Sequence, residues 1–124
     1  MIYLAVALGG ALGALARFGV ANWVIGLGSG HLHMATFSVN VLGSLFIGLV
    51  FVGAERLNLP EAARLGISVG FLGAFTTFSA VSLELLADLQ EGQVVRAVLY
   101  ASLTVFLCLI SCLAGVELAR STFD

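Results

Sequence analysis

Hydrophobic and polar positions alternate along the chain on a long scale: apolar runs separated by short charged clusters. After Arg17 the next charge is Glu55. Arg56, Glu61 and Arg64 follow, then a gap to Glu84, the cluster Asp88, Glu91 and Arg96, a gap to Glu117, then Arg120 and Asp124. Each gap holds about 20 apolar residues, enough for a helix to cross a hydrocarbon core of about 30 Å. The longest gap contains the end of one span, a turn at "GLGSGHLH" (Gly26 to His33) and a second span. The pattern predicts four membrane helices, at about 2–25, 34–54, 65–87 and 94–119, forming a single four-helix transmembrane domain over 1–124.

Composition strengthens this picture. Of 124 residues, 60% are hydrophobic and 10% charged, with fifteen glycines and one proline. So little polar surface cannot enclose the apolar residues in water, and lipid must be part of the solvent. A cleaved signal peptide is not expected in the first span, which has no basic leader and carries Arg17 where the apolar run should be unbroken. The net charge of -2 says less than its placement. An even number of spans puts both termini and the 55–64 loop on one side with Arg56, Arg64 and Arg120, against Arg96 and Arg17 on the other. The imbalance favours termini in the cytoplasm, and it is small enough for insertion either way.

Candidate chemistry lies inside the spans. Gly9 with Gly13, and Gly10 with Ala14, make a small-residue face for close helix packing, as do Gly43 and Gly48 in the second span. A phosphate-binding glycine loop would need a preceding strand. Arg17 is costly within a span, and structural anchoring and ion attraction both account for it. Asn40 is a lone amide in an apolar run, either a tie between helices or a donor to a small anion. In the third span, "GFLGAFTTFSAVSLE" crowds Gly70, Gly73, Thr76, Thr77, Ser79 and Ser82 together. Hydroxyls bonded back to helical carbonyls would explain it, and so would a helix break at 73–77. Freed backbone at membrane depth is tolerated only inside protein or beside a water-filled cavity, so a break would mark an ion site. On the fourth span Tyr100, Thr104, Cys108 and Cys112 fall at intervals of four, on one stripe that serves either packing or a hydroxyl track. Ser102 and Ser111 lie off that stripe and are read as packing residues. His31 and His33 form a weak metal signal in the predicted turn, better read as solvated. Glu84 and Asp88 read as solubilising charges at a span end, and no nucleophile, base and orienter occur together, so no enzyme is expected.

Three stretches in order, "GGALGALARF", "TFSVNVLGSLFIG" and "GFLGAFTTFS", resemble the CrcB or Fluc family of fluoride channels across essentially the whole chain. The resemblance implies an all-α membrane protein with its third helix broken mid-membrane. It implies an antiparallel, dual-topology dimer in the bacterial inner membrane, whose two pores let fluoride leave the cytoplasm. It also implies a sodium ion at the dimer centre, held by carbonyls of Gly73 and Thr76. Pore roles carry over to Asn40, Thr77, Phe78, Ser79, Val81, Tyr100, Thr104, Cys108 and Cys112, with Arg17 structural.

The sequence also departs from the family's pattern. Where members read "TTFSTFS", this chain reads "TTFSAVS", so Ala80 and Val81 replace a threonine and the second pore phenylalanine. Cys108 and Cys112 stand where better hydroxyl donors are expected, and Ala35 stands where a glycine precedes Thr36. A homodimer would lack one aromatic in each pore, which opens the alternative of a weakly conducting subunit or a heterodimer with a paralogue. A small multidrug-type transporter needs a membrane-embedded carboxylate, and no acid lies within the spans before Glu84.

Overall fold

Glycines decide which helices touch. The computed structural model describes residues 1–29 and 32–124. α1 (Ile2–Val24) packs along α3 (61–75). A side chain at Gly9 would strike the Gly66 carbonyl, and one at Gly13 would strike that of Phe71. The second seam joins α2 (Leu32–Arg56) to α5 (Val94–Phe123), where Gly48 meets the Cys112 carbonyl and Gly115 that of Leu45. In both seams the obstacle to a Cβ is backbone, which cannot swing aside. In lipid, where no hydrophobic drive holds helices together, such close approach supplies the packing attraction instead. Contacts advance along both helices together, from Gly66 against Ala5 to Phe71 against Gly13, and from Gly48 against Cys112 to Gly53 against Phe123. Within each seam the helices therefore run parallel, and the two pairs run opposite to one another.

Four helical segments, Ile2–Gly28, Leu32–Arg56, Glu61–Gln90 and Val94–Phe123, are long and apolar enough to cross a membrane, and the described residues contain no strand. The outward faces carry large apolar side chains, among them Leu12, Phe51, Phe106 and Leu109. The protein is a multi-pass membrane protein. Its helices outrun the predicted spans at most ends. The predicted turn at 26–33 is shortened from both sides, because Ile25–Ser29 continues α1 as a π-helical turn and α2 starts at Leu32. Gly28 turns the chain with φ 87, and Gly92 does the same before α5 with φ 75, values that glycine alone adopts without strain.

The third apolar segment is compound. α3 is helical through Glu61–Leu65, π-helical over Gly66–Leu72 and helical again at Gly73–Phe75. Thr76 (φ -86, ψ 159) and Thr77 (φ -153, ψ 120) are extended, and α4 (Phe78–Gln90) begins beyond them. An ion pair of 2.7 Å between Arg56 and Asp124 marks the end of the molecule that holds both termini. The opposite end holds the starts of α2 and α5 and the end of α4.

Candidate functional site

Asn40 holds the interruption open. Its Nδ2 donates to the Thr77 carbonyl (2.9 Å) and its Oδ1 accepts from the Thr77 N–H (2.8 Å), so a side chain of α2 pairs with the extended residue as a neighbouring strand would. The Thr77 N–H, which in an unbroken helix would donate to the Gly73 carbonyl, is thereby taken. Thr76 stays tied to α3, its N–H and Oγ1 both donating to the Leu72 carbonyl. Thr77 caps α4, its Oγ1 accepting from the Ala80 N–H at 3.2 Å and lying 3.1 Å from Ser79 Oγ. An oxygen at this position satisfies one of the donors that a helix start leaves free. Gly43 makes room, since a side chain there would collide with the Thr76 methyl.

Around the interruption lies a cleft of about 410 Å³. Asn40, Gly73, Thr76, Thr77, Phe78, Val81, Thr104 and Cys108 line it together with Ser44 and Ser68. With Gly43, nine of the residues singled out from the sequence thus line one cleft. Phe78 stands 76% exposed, whereas Val81, at 2%, is packed into the floor. Thr104 Oγ1 is buried and has no hydrogen-bond partner among the described residues. That absence is informative, because a buried hydroxyl without a partner costs roughly 1–3 kcal/mol. Asn40, after its two bonds, retains one amide hydrogen.

Five singled-out residues lie elsewhere. Ser79 is exposed beside the cap, Cys112 sits on the α2 seam, and Arg17 is part-buried on α1 with no ion pair among the described residues. Ser111 bonds across the same seam to the Val41 carbonyl at 2.9 Å, as a packing residue should. Tyr100, one turn before Thr104, is buried in a polar network at the end opposite the termini.

That network corrects the sequence reading of Glu84 and Asp88. They are 5% and 1% exposed, not solubilising charges in water. Glu84 accepts from Thr36 Oγ1 at 2.6 Å and from the Tyr100 hydroxyl at 2.7 Å. Asp88 takes Arg96 at 2.7 Å and His33 Nε2 at 2.8 Å, and Arg96 also reaches Glu91. His33 is accordingly a helical residue with a partner and does not lie in a solvated turn; His31 lies outside the described residues. A signal was present in the spacing. Thr36 follows His33 by three, Asp88 follows Glu84 by four and Tyr100 follows Arg96 by four, so each of three helices carries two polar residues on one face. Glu84 also weakens the physical ground for setting aside a carboxylate-dependent transporter, since a carboxylate lies buried within the third apolar segment.

Comparison with known proteins decides that point. A family model described as "CrcB-like protein, Camphor Resistance (CrcB)" matches residues 4–116. A protein of Thermus thermophilus named "Fluoride-specific ion channel FluC" is 50% identical over 117 residues, covering 94% of this chain and 91% of its own. Relatives of the same name occur in Idiomarina loihiensis, 38% identical over 97% of this chain and 93% of their own, and in Pseudomonas fluorescens, 41% identical over 96% and 97%.

Proposed function

The chain belongs to the CrcB-like family, and from that premise we propose that it is a passive fluoride channel subunit that lets fluoride leave the cytoplasm. It is a channel and not an enzyme, so its residues need only replace water around the ion. Fluoride is small and strongly hydrated, and a dry path must offer donors in exchange. The observation that carries the reading is the cleft at the interruption, where Asn40 keeps one amide hydrogen and the Thr104 hydroxyl has no partner among the described residues. Thr77 and Ser79 add hydroxyls, Cys108 adds a thiol, Phe78 offers the electropositive edge of its ring, and the path continues past Tyr100, whose hydroxyl is given to Glu84. Arg17 is a structural residue in this reading.

In the proposal Thr76 and Thr77 lie mid-membrane, a depth supported by their place midway along 61–90. Two chains pack in opposite orientations in the inner membrane and enclose two pores. The exposure of Phe78 supports this, because a partner would give its ring a surface to meet. Sodium fits the donor set at the dimer centre. Asn40 has taken the donor that would have occupied the Gly73 carbonyl, and Thr76 has left the helix, so carbonyl oxygens suited to a hard cation are released at both. A cation there would supply positive charge that offsets an anion in low dielectric. Purified chain in liposomes should release fluoride when sodium is present, with the release lost in Asn40→Ala; a wild type that releases none would overturn the proposal.

A second reading, a weakly conducting subunit that needs a paralogue, rests on Val81. With Val81 packed away, each chain offers one aromatic ring at the cleft in place of two. Robust efflux from the chain alone would remove the need for a partner.

A further inference from the structure

The proposed path reaches Tyr100 and Glu84, and behind them stand charges for which fluoride passage gives no account. His33 touches both groups. Its Nε2 lies 2.8 Å from Asp88 Oδ2, and its ring packs edge-on against that of Tyr100, with centroids 4.6 Å apart. Tyr100 in turn donates to Glu84, whose other oxygen takes Thr36, one turn along α2 from His33. Among the described residues, the charged groups around His33 are Asp88 and Glu84 from α4 and Arg96 from α5, with Glu91 bound to the far side of Arg96, and Tyr100 adds a titratable hydroxyl. Three carboxylates face one guanidinium. The formal charge of the group is therefore minus two with a neutral imidazole and minus one with a protonated one.

We propose, resting on the fluoride-channel reading, that His33 is a positioning residue for fluoride passage, holding Tyr100 and Asp88 in place and setting the charge that fluoride meets beside Glu84. A neutral imidazole keeps the bond to Asp88 by presenting Nε2–H. A protonated one keeps the same bond and adds a positive charge beside the Tyr100 ring. Glu84 repels an approaching anion, and the imidazolium offsets that repulsion. Passage is faster with the proton on.

The test is fluoride efflux from liposomes containing the full chain, measured from about pH 8 to about pH 6, the range in which an imidazole gains its proton, and corrected for protein-free liposomes. The wild-type rate should rise about fivefold, the order expected of one unit charge roughly 10 Å from the ion in a partly screened site. His33→Gln should stay at the low rate throughout and His33→Lys, a fixed cation, at the high one. A His33→Gln profile that keeps the wild-type rise, even at lower overall rates, overturns the proposal, since a purely structural ring contact would behave that way. Wild-type efflux that is present but flat with pH overturns this proposal alone. Wild-type liposomes that release no fluoride at any pH overturn the channel reading and this inference together.

Discussion

Two polar regions lie at the two ends of α4, and they treat polar atoms in apolar surroundings in opposite ways. At its C-terminal end, Glu84 and Asp88 are buried and every carboxylate oxygen has a donor from α2 or α5. At its N-terminal end, Asn40 satisfies the backbone of Thr77, yet Thr104 Oγ1 is left without a partner among the described residues and a cleft of about 410 Å³ lies alongside. A region that satisfies itself needs no ligand to be stable. One that leaves donors unused is stable only if something else fills them, water or an ion. Burial alone does not separate the two regions, and the hydrogen-bond inventory does.

The sharpest way to break this contrast is Asn40→Ala, which leaves both the N–H and the carbonyl of Thr77 without partners. Each unsatisfied group costs roughly 1–3 kcal/mol, so fluoride efflux should fall by about a hundredfold or more and thermal unfolding should shift downward. Efflux near the wild-type rate would mean that the interruption holds its shape without the amide. Next in size is Thr36→Val at the other end. It removes a hydrogen bond to a buried carboxylate, and a stability loss of about 1.5–3 kcal/mol should appear in thermal unfolding in detergent. No loss would mean that Glu84 is less dependent on its donors than the geometry indicates.

The two regions also differ in how legible they were in the sequence. The four helices, the Gly9 and Gly13 face of α1 and the unusual stretch around Thr76 and Thr77 follow from local features: run length, small residues four apart, and hydroxyls clustered where apolar residues were expected. Asn40 stood out for the same reason, one amide in an apolar run. Glu84 and Asp88 did not, because a charge near a span end is ordinary and its burial depends on three helices meeting. That meeting is set by which pairs run parallel, α2 with α5 and α1 with α3, and nearest-neighbour patterning does not encode it. Tyr100 shows the limit of a stripe. Its interval of four with Thr104 is real, but α4 closes over Tyr100 and turns it toward Glu84, while Thr104 and Cys108 remain on the cleft. Cys112, one turn further, has passed onto the seam with Gly48.

Thr104→Val tests the contrast with a smaller effect. The hydroxyl makes no hydrogen bond among the described residues, so replacing it with a methyl removes none of their bonds and stability should hold within about 0.5 kcal/mol, or rise. Fluoride efflux should nevertheless drop about tenfold, the worth of one hydrogen bond to an ion at about 1.4 kcal/mol.

Smallest of all is the change expected at Cys108. A thiol is a weak donor in the wall of the same cleft, and Cys108→Ser replaces it with a stronger donor of nearly the same size. Efflux should rise about two- to threefold, a few tenths of a kcal/mol, while the unfolding temperature stays put. Cys112→Ser serves as its partner measurement, because Cys112 sits on the seam outside the cleft lining and gives the ion no donor in this arrangement. Equal gains from both would return the two cysteines to a single stripe and move the path off the cleft toward the α2–α5 seam. A gain at Cys108 alone keeps fluoride at the interruption, where the unused donors are.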